Sequence, residues 1–445
     1  MKTVSKGMPR FLADYGMLIV LLVLCLLFSV LTLRDQFPTG VDAAESLSKL
    51  LTDEPSTGCI LIVSRDNAED RQFADRLEAL ATQRGFKTRI ISGDPAIVRS
   101  AMANLSDSGI VVQSIATTQS YEPVAQSVKA QFPKLAGVTI LTPPSHRWPT
   151  FLLADNLRNV ANQITVIAII AIGMTMVIIT AGIDLSVGSL IALSAVVTAW
   201  LVGAAGGENA TSGTLLLASF AGILLCGATG AFSGLMITRF RIPPFIATLA
   251  MMQVAAGVAY IISQGKPIYQ IPDKFIWLGR GADPLLKIPN AVILMVILYI
   301  IAHFIMTRTT LGRYIYAVGG NEEAARLSGI RVKLILFVVY TVCGMLAGLG
   351  GVLMSSQLKS GAPTYGVTYE LYVIAAVVVG GTSLSGGEGR IFGTLIGAFV
   401  IGVIQNGMNL TNVESYTQKV ILGLVILGAV LLDRLKQRGF RLTRS

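Results

Sequence analysis

Asp184 is the residue whose chemistry most needs a partner. It lies in VIITAGIDLSVGSLIAL, Val177 to Leu193, where every neighbour is apolar or small. A lone carboxylate at membrane depth costs about 3 kcal/mol or more unless something satisfies it. Gly182, Asp184, Ser186 and Gly188 interrupt an apolar run about twice as long as a bilayer span. The acid therefore sits at a break between two helices. There it can cap the second helix, whose first N–H groups and dipole favour negative charge. It can also meet a polar solute, as discontinuous transporter helices do. Both roles hold together if the cap lines the path. Loop counting puts the break toward the cytoplasm, and a discontinuous helix would put it deeper.

Other reactive constellations dissolve on inspection. Leu384–Glu388 reads LSGGE, the signature sequence of ABC-type ATPases, but the chain contains no GxxxxGK[ST] phosphate loop. The stretch joins two apolar runs and reads as a glycine-rich turn. Of the two histidines, His146 lies in a Pro-rich stretch and His303 near a helix end. Cys25, Cys226 and Cys343 lie in apolar runs and Cys59 stands alone, so no disulfide framework or CxxC metal site follows. Neither metal, cofactor nor catalytic residue is expected.

The elements that must position Asp184 are membrane spans. Only 13% of the 445 residues are charged and mean hydropathy is +0.67, whereas soluble domains carry about 25% charge. Ten apolar segments stand out, near 16–33, 157–180, 186–203, 214–238, 243–262, 289–307, 334–354, 371–385, 391–409 and 418–432. The first follows Lys2, Lys6 and Arg10 like a signal peptide. It is long enough to span, and Ala43 and Ala44 lie far beyond it, so it reads as a retained anchor. The net charge of +10 does not form a nucleic-acid patch; the basic residues sit at segment ends. With the N-terminus inside, Arg239, Arg241, Arg308, Arg313, Arg326, Arg331, Lys333, Arg390 and the tail of Arg434 to Arg444 are cytoplasmic. The outside loops then hold only Lys266, Lys274, Arg280, Lys287, Lys359 and Lys419. The rule places both termini in the cytoplasm and the polar segment after the first span outside.

That segment changes period. CILIV, KTRII, GIVVQSI and AGVTIL read as strands, separated by helical patterns with Phe73, Leu77 and Leu80 on one face. Gly85, Gly109 and Gly137 stand where helices should stop. The alternation predicts a small parallel sheet covered by helices, between stiff linkers at Pro38, Pro55, Pro143, Pro144 and Pro149. SRDNAED is a poor phosphate cradle. The fold expected is an all-α polytopic membrane protein with an inserted extracytoplasmic α/β domain. Its domains are 1–37 (tail and first span), 38–149 (insert), 150–435 (bundle) and 436–445 (basic tail).

The longest cytoplasmic loop contains GRYIYAVGGNEEAARLSGIRV. Asn321 is a good N-cap, Glu322 and Glu323 suit the first turn, and Gly329 is a natural stop. A short capped helix outside the membrane is either a solvated connector or a docking knob. This loop resembles the coupling loop of ribose- and xylose-type permease subunits of bacterial ABC sugar importers. GMTMVIITAGIDLSVGSLIALSAVV, PPFIATLAMM, YELYVIAAVVVGGTSLSGGEGRIFGTLIGA and NGMNL are similar to the same family in the same order. The likeness covers residues 150–435 and the first span. The insert departs from it, and resembles one lobe of a periplasmic sugar-binding protein in ILIVSRDNAEDRQFADRLEALATQRGF.

The resemblance implies a permease subunit in the bacterial inner membrane. A second permease subunit, identical or different, would pair with it, a separate ATP-binding subunit would dock on the coupling helix, and a periplasmic sugar-binding protein would deliver a monosaccharide. Membrane lipid is the remaining partner, and no nucleic acid is expected. Asn321, Glu322, Glu323, Arg326 and Gly329 are then the coupling residues. A sugar path needs hydroxyls and amides inside apolar helices. Asp184, Ser186, Ser189, Gln253, Gln405, Asn406 and Asn409 are the candidates, each equally able to tie helices together. Transport of another small polar solute, an amino acid or a furanosyl signal molecule, is the alternative. A membrane-anchored sensor is less favoured, since the segment after Leu432 is short and basic.

Overall fold

The computed structural model describes residues 8–51, 58–108 and 110–442. Lys2, Lys6, Pro55, Gly109 and Arg444 lie outside the described residues. The chain separates into two compact units: Met1–Thr32 with Phe151–Ser445, and Leu33–Thr150.

After α1 (Met8–Leu31), which belongs to the first unit, the second unit runs β1 (Leu33–Gln36), α2 (Gly40–Ser48), β2 (Cys59–Ser64), α3 (Ala68–Gln83), β3 (Lys87–Ser92), α4 (Pro95–Asp107), β4 (Val112–Thr117), α5 (Glu122–Lys129), β5 (Thr139–Leu141) and β6 (His146–Pro149). Four strands form an all-parallel sheet in the order β3-β2-β4-β5. The continuous apolar run of β2 explains its central place. Alternate side chains point to opposite faces, so Ile60 and Ile62 join Phe73 and Leu77 on one side, and Leu61 and Val63 join Val98 and Met102 on the other. Asn67 caps α3 by accepting from the Asp70 N–H at 2.7 Å, and Asp94 caps α4 through the N–H groups of Ala96 and Ile97.

The flanking segments correct the expected linkers. β1 and β6 pair antiparallel, with Leu33 opposite Pro149 and Gln36 opposite His146. Residues 40–48 form α2, whose Ala43, Ala44 and Leu47 are fully buried. Four-residue strands are too short to show a period, so proline content dominated the expectation. Pro149 is harmless there because a strand end needs no ladder N–H from it.

The helical unit continues with α6 (Ala154–Ile179), α7 (Val187–Ala204), α8 (Ser212–Phe240), α9 (Pro244–Ser263), α10 (Asn290–Arg308), α11 (Thr310–Gly320), α12 (Glu322–Leu327), α13 (Val332–Leu358), α14 (Tyr369–Val379), α15 (Ile391–Leu410) and α16 (Ser415–Leu442). Among the described residues seven helices are long and apolar enough to cross a membrane: α6, α7, α8, α9, α10, α13 and α15. The apolar stretches of α1 (Gly16–Leu31), α14 and α16 (Ser415–Leu431) are shorter. Helices satisfy their own backbone polar groups, which is what lipid demands. Over its apolar stretch α6 is 89% buried, against 22% for α9 and 28% for α10, so α6 lies on the bundle axis and the other two on its wall.

Close approach of α8 and α13 depends on glycine. A Cβ at Gly230 would overlap the Tyr340 carbonyl, and one at Gly344 the Cys226 carbonyl. The span expected at 371–385 stops at Val379. Gly381, at φ +89°, and Thr382 turn their N–H groups back onto the carbonyls of Val378 and Val377, closing the helix. α16, by contrast, runs on to Leu442 through most of the expected tail. α11 is a helix that the loop reading did not contain.

Candidate functional site

The break at Asp184 begins where α6 ends. Ala181 adopts φ +58°, and the N–H groups of Ala181 and Gly182 return to the carbonyls of Ile178 and Val177. This is the same helix-ending turn as at Gly381, here with alanine in the left-handed position. Asp184 is fully buried. Its Oδ1 accepts the Ser186 N–H at 2.9 Å and the Ser186 hydroxyl at 2.6 Å. Ser186, itself buried, is the N-cap residue of α7, so the carboxylate caps by holding the residue at that position. Oδ2 accepts no hydrogen bond of standard geometry, and the Cys343 thiol lies beside the carboxyl group. From other helices, Thr248 donates to the Ile183 carbonyl at 3.4 Å and the Tyr340 hydroxyl reaches it at 3.5 Å. Buried polar groups left open cost about 1–3 kcal/mol each, so this pocket of α9 and α13 side chains holds the break in one geometry.

A second place gathers amides. Gln163 and Ile167 of α6, Tyr369 and Tyr372 of α14, Gln405 and Asn409 of α15, and Gln418 of α16 line a cleft of about 190 Å³. α6, α14 and α15 each contribute two residues three or four apart, which share one helical face, and α16 contributes Gln418 alone. The tyrosine rings meet edge to face at 6.1 Å and 65°. Gln418 Nε2 donates to Asn409 Oδ1 at 2.9 Å and to the Val413 carbonyl at 2.8 Å.

Of the seven expected path residues, then, two meet in the cleft. Asn406, one position round from Gln405, instead exchanges hydrogen bonds with Asn156. Gln253 is exposed on α9, and Ser189 is half-buried on α7; neither lines the cleft. Asp184 and Ser186 belong to the break. Gln163, Tyr369, Tyr372 and Gln418 were not foreseen. Their signal was present, as polar or aromatic residues at the margins of apolar runs, but such residues are common wherever a helix leaves the bilayer.

The capped helix after Gly320 is α12. Asn321 Oδ1 accepts the Ala324 N–H at 2.9 Å, and Gly329 adopts φ +82°. Glu323 and Arg326 pair at 2.6 Å on the exposed face, and Leu327 is 79% exposed beside them. Ala325 alone faces inward.

Long apolar helices, the most buried of them axial and ending at a break with a buried acid, are the architecture of a multi-pass membrane protein. The chain belongs to the family described as "Branched-chain amino acid transport system / permease component", which matches residues 156–430. It is 47% identical over 293 residues to the Ribose import permease protein RbsC of Escherichia coli (strain K12), covering 65% of this chain and 88% of that protein. It is 40% identical over 285 residues to the D-allose transport system permease protein AlsC of the same organism (64% and 85%). The L-arabinose transport system permease protein AraH is 36% identical over 293 residues (66% and 87%). No solved structure matches the chain.

Proposed function

We propose that the chain is the permease subunit of an ATP-driven importer that carries a monosaccharide of the ribose or xylose kind across the inner membrane. The observation that carries this reading is the composition of the cleft. Amides can both donate to and accept from hydroxyls, and tyrosine rings suit the C–H surface of a sugar ring. The names of the relatives, ribose, allose and arabinose permeases, support the same class. The family description favours an amino acid as the second reading. Against it, the cleft lining holds no cation for a carboxylate and no acid for an ammonium group.

In this reading α1, α14 and α16 cross with the seven longer helices, both termini are cytoplasmic, and residues 38–149 form a periplasmic insert that docks the delivery protein. A second permease subunit completes the path. ATP is hydrolysed by a separate subunit seated on α12, where Glu322, Glu323, Arg326 and Leu327 offer a charged rim round an apolar knob. The test is uptake into proteoliposomes holding the permease, its ATP-binding subunit and its binding protein, with a panel of labelled pentoses, hexoses and branched-chain amino acids. ATP-dependent uptake of one pentose or hexose is expected; uptake of an amino acid alone would overturn the proposal.

A further inference from the structure

Three backbone segments converge at one end of the bundle with no side chains between them. A Cβ at Gly319, near the end of α11, would overlap the Ile179 carbonyl oxygen and lie 2.7 Å from the Gly387 nitrogen. The Gly387 N–H donates to that same Ile179 carbonyl at 2.8 Å. A Cβ at Gly386 would lie 2.8 Å from the Gly319 oxygen and 2.9 Å from Ala181 Cβ. The Tyr316 hydroxyl closes the group by donating to the Gly389 carbonyl at 2.7 Å.

We propose that Gly319 and Gly387 are positioning residues that clasp the last carbonyl of α6 and relay displacement of α12 to the Asp184 break. The inference rests on the permease reading above. Asn321 ends α11 and caps α12, so a push on α12 reaches Gly319 within two residues. Side chains absorb small shifts by changing rotamer, but contacting backbones have no such slack. The push therefore arrives at Ile179, two residues before Ala181. The chain there is in the left-handed region that alanine seldom occupies. Beyond it Gly182 to Ser186 is unwound, so a shift of Ile179 passes through five non-helical residues to the Asp184–Ser186 cap at the start of α7. A small shift at an effector surface becomes a change between two packed arrangements in this way.

The neighbouring glycine supplies the control. A Cβ at Gly320 meets nothing within 4 Å. In the complete transporter in proteoliposomes, Gly320→Ala is expected to leave the sugar moved per ATP hydrolysed unchanged. Gly319→Ala should lower that ratio on the order of tenfold, within the ordinary range of coupling between sites. Tyr316→Phe keeps the ring and loses one hydrogen bond, and should lower it by a smaller factor. A second readout uses no sugar: amide hydrogen exchange of residues 180–186 on binding a non-hydrolysable ATP analogue. Protection there should change in the wild type and in Gly320→Ala but not in Gly319→Ala. Equal ratios in Gly319→Ala and Gly320→Ala, or exchange that responds alike in both, would overturn the relay. If Gly319→Ala fails to assemble, an unchanged ratio and exchange response in Tyr316→Phe would do so. A wild-type complex that moves no monosaccharide would count against the transport reading alone, since the exchange experiment still decides the relay.

Discussion

The side-chain amides of Asn156 and Asn406 exchange two hydrogen bonds, at 3.1 and 2.9 Å, between α6 and α15. The pair joins helices 250 residues apart in sequence and leaves Asn406 no part in the cleft beside it. Asn406→Ala should therefore destabilise the bundle, by about 0.6–1.7 kcal/mol for an interhelical hydrogen bond in a membrane. Thermal unfolding in detergent measures this. The half-saturating sugar concentration should stay at the wild-type value, and a large rise in it would return Asn406 to the path.

The cleft residues should behave in the opposite way. Gln405→Ala and Tyr372→Ala each remove a group positioned for sugar, at a cost of about 1–3 kcal/mol in binding, roughly five- to 150-fold. Uptake kinetics should show a higher half-saturating concentration while the melting temperature hardly moves. Loss of stability without a change in affinity would make the cleft a structural seam.

Asp184 separates capping from charge. Asparagine keeps the oxygen that accepts from Ser186, so Asp184→Asn should transport near the wild-type rate. Asp184→Ala should destabilise by about 0.5–2 kcal/mol as a lost cap, or more because Ser186 is buried. Abolished transport by a stably inserted Asp184→Asn protein would show that the negative charge itself is used.

Gly329 faces open space, so a substitution there acts through the backbone alone. At φ +82°, Gly329→Val should cost about 1–2 kcal/mol of local strain and reshape the end of α12. Uptake should fall while the bundle remains inserted, and Gly329→Asn should be milder because asparagine tolerates this conformation. Leu327→Asp should weaken copurification of the ATP-binding subunit. Undiminished uptake with normal copurification in both variants would remove α12 from coupling.

The insert is separable on geometric grounds. The Phe151 N–H donates to Thr32 Oγ1 at 3.1 Å, so the two ends of the bundle's chain already meet. Excising residues 33–150 and joining the ends through a short glycine linker should leave the bundle folded. If the insert docks the delivery protein, uptake by the excised form should need more binding protein for half-saturation at an unchanged maximal rate. A tether raises effective concentration toward about millimolar, which is the contribution lost. An unchanged curve would leave the insert without this role, and micromolar sugar binding by an insert that folds alone would give it a different one.

Short-range periodicity and cap chemistry were legible in the order of the amino acids. Every expected apolar segment overlaps a helix, although that at 371–385 is helical only to Val379; β2 to β5 fall on the four expected strands, and Asn321 and Gly329 bound α12 as their types require. GGTSLSGG, which contains the glycine-rich turn expected between two apolar runs, closes α14 with the same turn that closes α6. These features are set by residues within four positions of one another, where the backbone's own geometry decides which side chains share a face. Tertiary structure alone decided the rest. Gln405 and Asn406 are adjacent and chemically alike, yet one lines a cleft with Gln163 and Tyr372 while the other ties α15 to α6. A rotation of about 100° per residue separates them, and only the packing of α15 against its neighbours says which direction is which. The strands β1 and β6, the amide cleft and the meeting of Gly319, Ile179 and Gly387 all join residues from distant parts of the chain. Their contact depends on helix crossing and register, which no local pattern encodes.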